Sequence, residues 1–267
     1  RAPTASAPKT GKRNPTYWSK LKSFTSSTGK PPILRKRKRF TPALTFAPGH
    51  PYEMSHRHFS HQMAYHPLGL IDMSHGEKDR QIIQSTIDRL EEYGSDWWTG
   101  YSFSWLGNLY ARAFEGKKAA DALRLFAKCF CLKNTFHVNG DQCNDGHSNF
   151  TYRPFTLEGN FAFASAIQEM LLQSHTGVVR VFPAVPKDWP DISFDQLRAQ
   201  GAFVVSAARE GGQTVSVIIH SEEGGKLRLK NPLGDEVSGL EGLSYEMEDG
   251  ILSIQTKPGQ TIELERK

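Results

Sequence analysis

The chain has 267 residues, 38% of them hydrophobic, with Lys and Arg exceeding Asp and Glu by five. That length and balance suit one large or two small folded domains with a real core, and exclude a wholly disordered chain. No apolar run is long enough to span a membrane.

The charge is unevenly placed. Residues 1–40 hold 12 Lys or Arg and no acid, so the rest carries 21 basic residues (33 less 12) against 28 acidic ones. The body is therefore mildly acidic and the basicity belongs to one arm. Residues 1–45, rich in Pro, Ser, Thr and Lys, read as a disordered arm. The run RKRKRF at 35–40 could meet an anionic surface, but no aromatic residues interleave it for base stacking, so nucleic acid is not expected as a partner.

From about 50 to 175 the chain reads helical. Ile83, Ile87 and Leu90 fall on one face of a helix over 77–93, with Gly94 as its C-cap. Tyr101–Phe114 is apolar nearly all round and predicts a buried helix. Lys117–Leu132 predicts another. The stretch 134–153 breaks the pattern with Gly, Asn, Asp and Ser. A last helix follows Glu158, with Phe161, Ala164, Ile167, Met170 and Leu171 as its apolar positions. From 178 the period becomes two. Val215, Val217 and Ile219, Leu227 and Leu229, Leu252 and Ile254, and Ile262 and Leu264 mark strands, and Gly211-Gly212 marks a hairpin. A small antiparallel, sandwich-like module is expected there.

Three groups of residues offer chemistry. The cluster SHRHFSH at 55–61 lacks the spacing and the carboxylate of a zinc helix, so no metal is expected. Arg57 and His58 can instead hydrogen-bond a polyhydroxylated ligand. Cys129, Cys131, Cys143, His137 and His147 resemble a zinc set, but two helical cysteines two residues apart point away from each other. The odd cysteine count also argues against a disulfide framework. Glu158 stands at the mouth of a helix, where free N–H groups and the dipole favour negative charge. That suits a base or an electrostatic partner better than a proton donor. Gly159 permits close backbone approach, and Asn160 adds an amide that could hold water or a hydroxyl.

The segments APGHPYEMSHRHFSHQMAYHPLGLID (47–72), TGYSFSWLGNLYARAF (99–114), FTYRPFTLEGNFAFASAIQEMLLQSH (150–175) and GVVRVFPAVPKDWP (177–190) together resemble glycoside hydrolase family 95. The resemblance covers about 46–267. It implies an α + β multidomain protein: residues 46–177 as the C-terminal helices of an (α/α)6 toroid, and 178–267 as a C-terminal β domain. It implies inverting, exo-acting hydrolysis of terminal α-L-fucosides, a fucosylated glycan as substrate, no cofactor, and a secreted or periplasmic parent. It places Glu158 as the acid on the water side, with Arg57, His58, Tyr152 and Asn160 around the sugar. Many relatives carry Asp at the position of Glu158 and His at that of Tyr152. No SPEN-like segment for the general acid and no asparagine segment for the water are found, so the chain alone is expected to be inactive. A glycosidase for another sugar, such as an α-L-galactoside, and a non-catalytic carbohydrate-binding fragment are the alternatives.

Overall fold

The computed structural model describes residues 42–267; most of the basic arm, including RKRKRF, lies outside the described residues. Among those, four α-helices precede most of the strands. They are α1 (Glu77–Tyr93), α2 (Gly100–Arg112), α3 (Gly116–Cys129) and α4 (Glu158–Leu171). Ile83, Ile87 and Leu90 face the core, as their spacing requires, and Gly94 follows α1 at φ 66°. Helix α2 is buried nearly all round because it lies between α3 and α4. Gly107 allows this, since a Cβ there would sit 3.0 Å from Leu123 Cγ and 3.4 Å from Ala166 Cβ.

Three helical expectations need correction. Residues 50–76 are not helical; they hold one 3-10 turn, Ser60–Gln62. Pro51, Pro67 and Gly69 interrupt any helical ladder, and the segment is anchored by side chains instead. Tyr52, Phe59 and Tyr65 are almost fully buried, and the Tyr65 hydroxyl donates to the Leu109 carbonyl at 3.0 Å. Helix α3 stops at Cys129, three residues early. Cys131 has already left the helix to pair with His137 in an isolated bridge. The buried face of α4 runs through Ala166 and Met170, with Phe163 and Ile167 packed partly beneath, while Phe161 is 67% exposed.

Helix α4 passes directly into β3 (Leu172–Gln173), which pairs with β4 (Val179–Val181). The strands β5 (Ile192–Ala199), β6 (Phe203–Glu210), β7 (Gln213–Ser221), β8 (Gly225–Lys230), β9 (Val237–Ser238), β10 (Tyr245–Glu248), β11 (Ile251–Thr256) and β12 (Gln260–Arg266) follow. They form two five-stranded sheets, ordered β5-β6-β7-β12-β9 and β10-β11-β8-β4-β3. A small third sheet pairs β1 (Thr45–Ala47) with β2 (His50–Pro51). Val217, Ile219, Leu227, Leu229, Leu252, Ile254, Ile262 and Leu264 all point into one core shared by the two large sheets. The Gly211-Gly212 hairpin joins β6 to β7, with both glycines at positive φ. The module is not wholly antiparallel: β4 runs parallel to β8, because the chain enters this sheet from the helical layer.

One ion pair and one further polar contact, both largely buried, tie distant segments together. The Arg112 guanidinium is bidentate to Glu169 (3.0 and 2.8 Å) and also donates to the carbonyls of Tyr65 and Pro67. His175 lies 2.8 Å from Asp72. Burial opposes the charge on Asp72, but hydrogen bonds from His175 and Ser74 outweigh it and hold the carboxyl well below its usual range.

Candidate active site

The ends of α2 and α4 define the site. Glu158 is the first residue of α4 and its side chain is exposed. At the start of α2, Ser102 accepts the Thr99 N–H at 3.2 Å, forming half of a capping box. The same hydroxyl donates to the Arg57 carbonyl at 2.8 Å. Arg57 is thereby hung from the mouth of α2.

Arg57, His58 and Tyr152 are brought together across 95 residues of sequence. The Arg57 Nε donates to His58 Nε2 at 3.0 Å, and its Nη1 donates to the Tyr152 hydroxyl at 3.3 Å. The guanidinium also lies 5.9 Å from the Phe150 ring centre, and Phe150 meets Tyr152 edge to face. Partial burial, then the charges of Arg57 and His56, push the His58 pKa down. The imidazole is thus held neutral. With Nε2 accepting from Arg57, its proton sits on Nδ1, which is a donor. The cluster presents a guanidinium fork, a neutral imidazole and a phenol to solvent.

Asn160 is placed otherwise. Its Oδ1 accepts from the His137 backbone N–H at 2.9 Å, and its Nδ2 donates to the Thr135 carbonyl at 2.9 Å. One amide proton and one lone pair remain for a ligand. Gly159 does allow a close approach, but the group that fills the space is the His137 ring. A Cβ on Gly159 would collide with it, and so would one on Gly100 from the other side. The N-termini of α2 and α4 therefore meet at one imidazole.

His137 is fully buried. Its Nδ1 lies 2.7 Å from the Thr156 carbonyl, which can only accept, so Nδ1 carries the proton. Nε2 has no hydrogen-bond partner among the described residues. Burial lowers the pKa of this ring, against the backbone hydrogen bond and the charge of Glu158. Tyr101 is pushed up by burial and then by Glu158. The carboxylate's field thus reaches both helix mouths.

The segment around His137 is a strap. Backbone hydrogen bonds pair Asn139 with Pro154, Gly140 with Tyr152, and Asp141 with Phe150. At its base, Cys129 and Cys143 are joined in a disulfide, closing a loop with a sequence separation of 14. A single disulfide beside two apolar cores is not the disulfide framework that the odd cysteine count argued against, but the pairing itself was not foreseen; Cys131 is left over, free and half-buried. Spacing could not reveal the pair, because the predicted helix ran through both Cys129 and Cys131. Among the described residues, the metal-type ligand cluster found is Cys129, Cys143 and Asp145, whose two sulfurs are already bonded to each other. His61 does not join His56 and His58; it is buried and packed against Phe46 and Tyr52. Tyr101 and Thr156 were residues of the site that pattern reading missed, and His137 was weighed only as a zinc-type ligand. The one hint was Gly159, a glycine inside a helix at a point of close approach.

Comparison with known proteins bears on this arrangement. The catalytic domain of glycosyl hydrolase family 95 matches residues 47–171, and the C-terminal domain of the same family matches 173–264. The chain is 30% identical over 173 residues to "Alpha-L-fucosidase 2" from Arabidopsis thaliana, an alignment covering 64% of this chain and 20% of that protein. It thus spans about a fifth of the length of that curated relative.

Proposed function

Because this chain belongs to glycoside hydrolase family 95, we propose that it is the sugar-facing C-terminal part of an exo-acting, inverting α-L-fucosidase. The observation that carries this reading is the junction of Arg57, His58 and Tyr152 by hydrogen bonds of 3.0 and 3.3 Å, on the corner where the Glu158 helix begins. Guanidinium, neutral imidazole and phenol together match a ring of vicinal hydroxyls, and an amide proton of Asn160 adds a further donor. Glu158 is the base-side carboxylate. It polarises the amides that hold the attacking water on the face of the sugar opposite the leaving group. An inverting enzyme needs its two acid–base groups far enough apart to seat that water. The proton donor is supplied from outside this chain.

In this reading α1–α4 are a sector of an (α/α)6 toroid. Exposed Leu68, Leu70 and Phe161, and the groove of about 460 Å³ lined by Met63, Tyr101 and Trp105, are the faces that neighbouring helices cover.

The test is a ligand panel read by saturation-transfer NMR on the chain, with an aryl α-L-fucoside assay beside it. L-Fucose is expected to bind in preference to L-galactose and D-glucose, with no turnover. Preferred binding of L-galactose would reassign the sugar. Turnover that disappears in Glu158→Gln would overturn the need for an outside proton donor.

A further inference from the structure

We propose that Asn149 is an N-glycosylation site, carrying an oligosaccharide on the rim of the candidate sugar site. Asn149-Phe150-Thr151 is an Asn-X-Thr acceptor sequence. It is the chain's only one: Asn14 is followed by Pro15, and no other asparagine has Ser or Thr two residues on.

Acceptor sequences occur by chance, so the fold must pass a second test. Attachment happens on the nascent chain, and the folded protein must then leave the modified amide in solvent. Residues 148–151 meet this by alternation. Ser148 is buried and donates to the Trp98 carbonyl at 2.6 Å. Asn149 is exposed, Phe150 turns inward against Trp97 and Tyr152, and Thr151 is exposed again. The Asn149 backbone is fixed by its N–H to the Asp96 carbonyl at 2.8 Å, whereas its side-chain amide makes no hydrogen bond among the described residues. The bend at Asn149 thus leaves both recognition side chains exposed and the middle one half-buried.

A separate observation points to the same compartment. Cys129 and Cys143 form a disulfide six residues before Asn149, and structural disulfides form and persist where the environment is oxidising. The remaining thiol, Cys131, is half-buried, and burial pushes it up to about 11, against thiolate formation. The strap therefore carries an acceptor sequence and a disulfide, and both suit a protein folded in an oxidising compartment.

The chemistry balances with one co-reactant, a polyprenyl-diphosphate-linked oligosaccharide used by an oligosaccharyltransferase. The Asn149 Nδ2 forms a bond to C1 of the first sugar as the C1–O bond to the diphosphate breaks. Polyprenyl diphosphate leaves with the bonding pair, and the amide proton passes to a base of the transferase. The glycan would stand beside Phe150, whose ring lies under Arg57.

The experiment is secretion of the full chain from yeast behind a secretion leader, read by intact mass and by peptide mapping. The expected result is a heterogeneous glycan mass removed by peptide:N-glycosidase, which leaves Asp at 149. Asn149→Gln and Thr151→Val should each abolish it, and Thr151→Ser should restore it. The same reading on chain retained in the cells covers any variant that is not secreted. Recovery of the peptide spanning Asn149 in wholly unmodified form, from secreted or retained chain, would overturn the proposal.

Discussion

The sandwich and the helical layer solve burial in opposite ways. In the sandwich two sheets cover each other, and only Ile218, Tyr245 and Met247 are left as exposed large hydrophobics. The helical layer leaves thirteen, from Phe46 to Phe161. Among the described residues, it also holds buried but unpartnered polar atoms of His61, Gln62, His66, Trp105 and His137, where the sandwich and its entry strand hold those of Gln173, His175 and Arg209. A sheet pair is a complete unit of packing. A helical layer bearing a site keeps polar groups inside and apolar groups outside, which costs stability. The sandwich is thus built for stability and the helical layer for contact.

The largest effect of a single substitution should come from the sandwich core. Leu227 is fully buried, so Leu227→Ala is expected to cost roughly 2–5 kcal/mol, measured by urea unfolding. A loss under about 1 kcal/mol would mean that the sheets do not share a tight core.

Acid should strike the helical layer first. Burial, with the charges of His56 and Arg89, pushes His61 down to about 4; burial, with Arg112 and His175, pushes His66 down to about 3. Their unfolded-state value is 6.5. Both are neutral when folded, so the unfolded chain binds more protons below pH 6.5. Stability from these rings is fully present above that pH and is lost as pH falls towards 4. By pH 4 the loss is about 3 kcal/mol for each. Thermal melts from pH 7 to 4 should show the helical layer weakening before the sandwich. A loss shared equally by both would erase the contrast.

Opening the strap should matter about as much. Cys143→Ser removes a cross-link whose loop length corresponds to roughly 3 kcal/mol in the chain-entropy account. The melting temperature should fall in the variant, and on reduction of the native chain. At the other end of the scale, Phe161→Ser should change stability by less than about 0.5 kcal/mol, because its ring is mostly in solvent. A large loss there would show that Phe161 is already packed.

The same contrast decided what pattern reading could see. Period-two alternation marked Leu227, Leu229, Leu252, Ile254, Ile262 and Leu264 because each has one face in and one out. The parallel β4–β8 pairing left no trace in that pattern, since it depends on where the chain enters the sheet. In the helical layer, α1 and α2 were legible from apolar spacing. Residues 50–76 were not, because single aromatics such as Tyr52 and Phe59 plug distant holes without a period. The Arg57–Tyr152 contact spans 95 residues, so only the family resemblance brought those side chains together beforehand. The disulfide and the His137 wedge were invisible because each depends on where α3 stops.

The most direct test of the central reading is the affinity of the chain for L-fucose, measured by NMR titration for the native protein and for Arg57→Ala, His58→Ala and Glu158→Gln. If the corner of α2 and α4 is the sugar site, the native chain binds, and Arg57→Ala weakens binding by about tenfold or more, the loss expected for hydrogen bonds from a charged group. The fold, read by far-ultraviolet circular dichroism, should be retained. Binding that persists unchanged in all three variants would contradict the account and place the sugar elsewhere on the molecule.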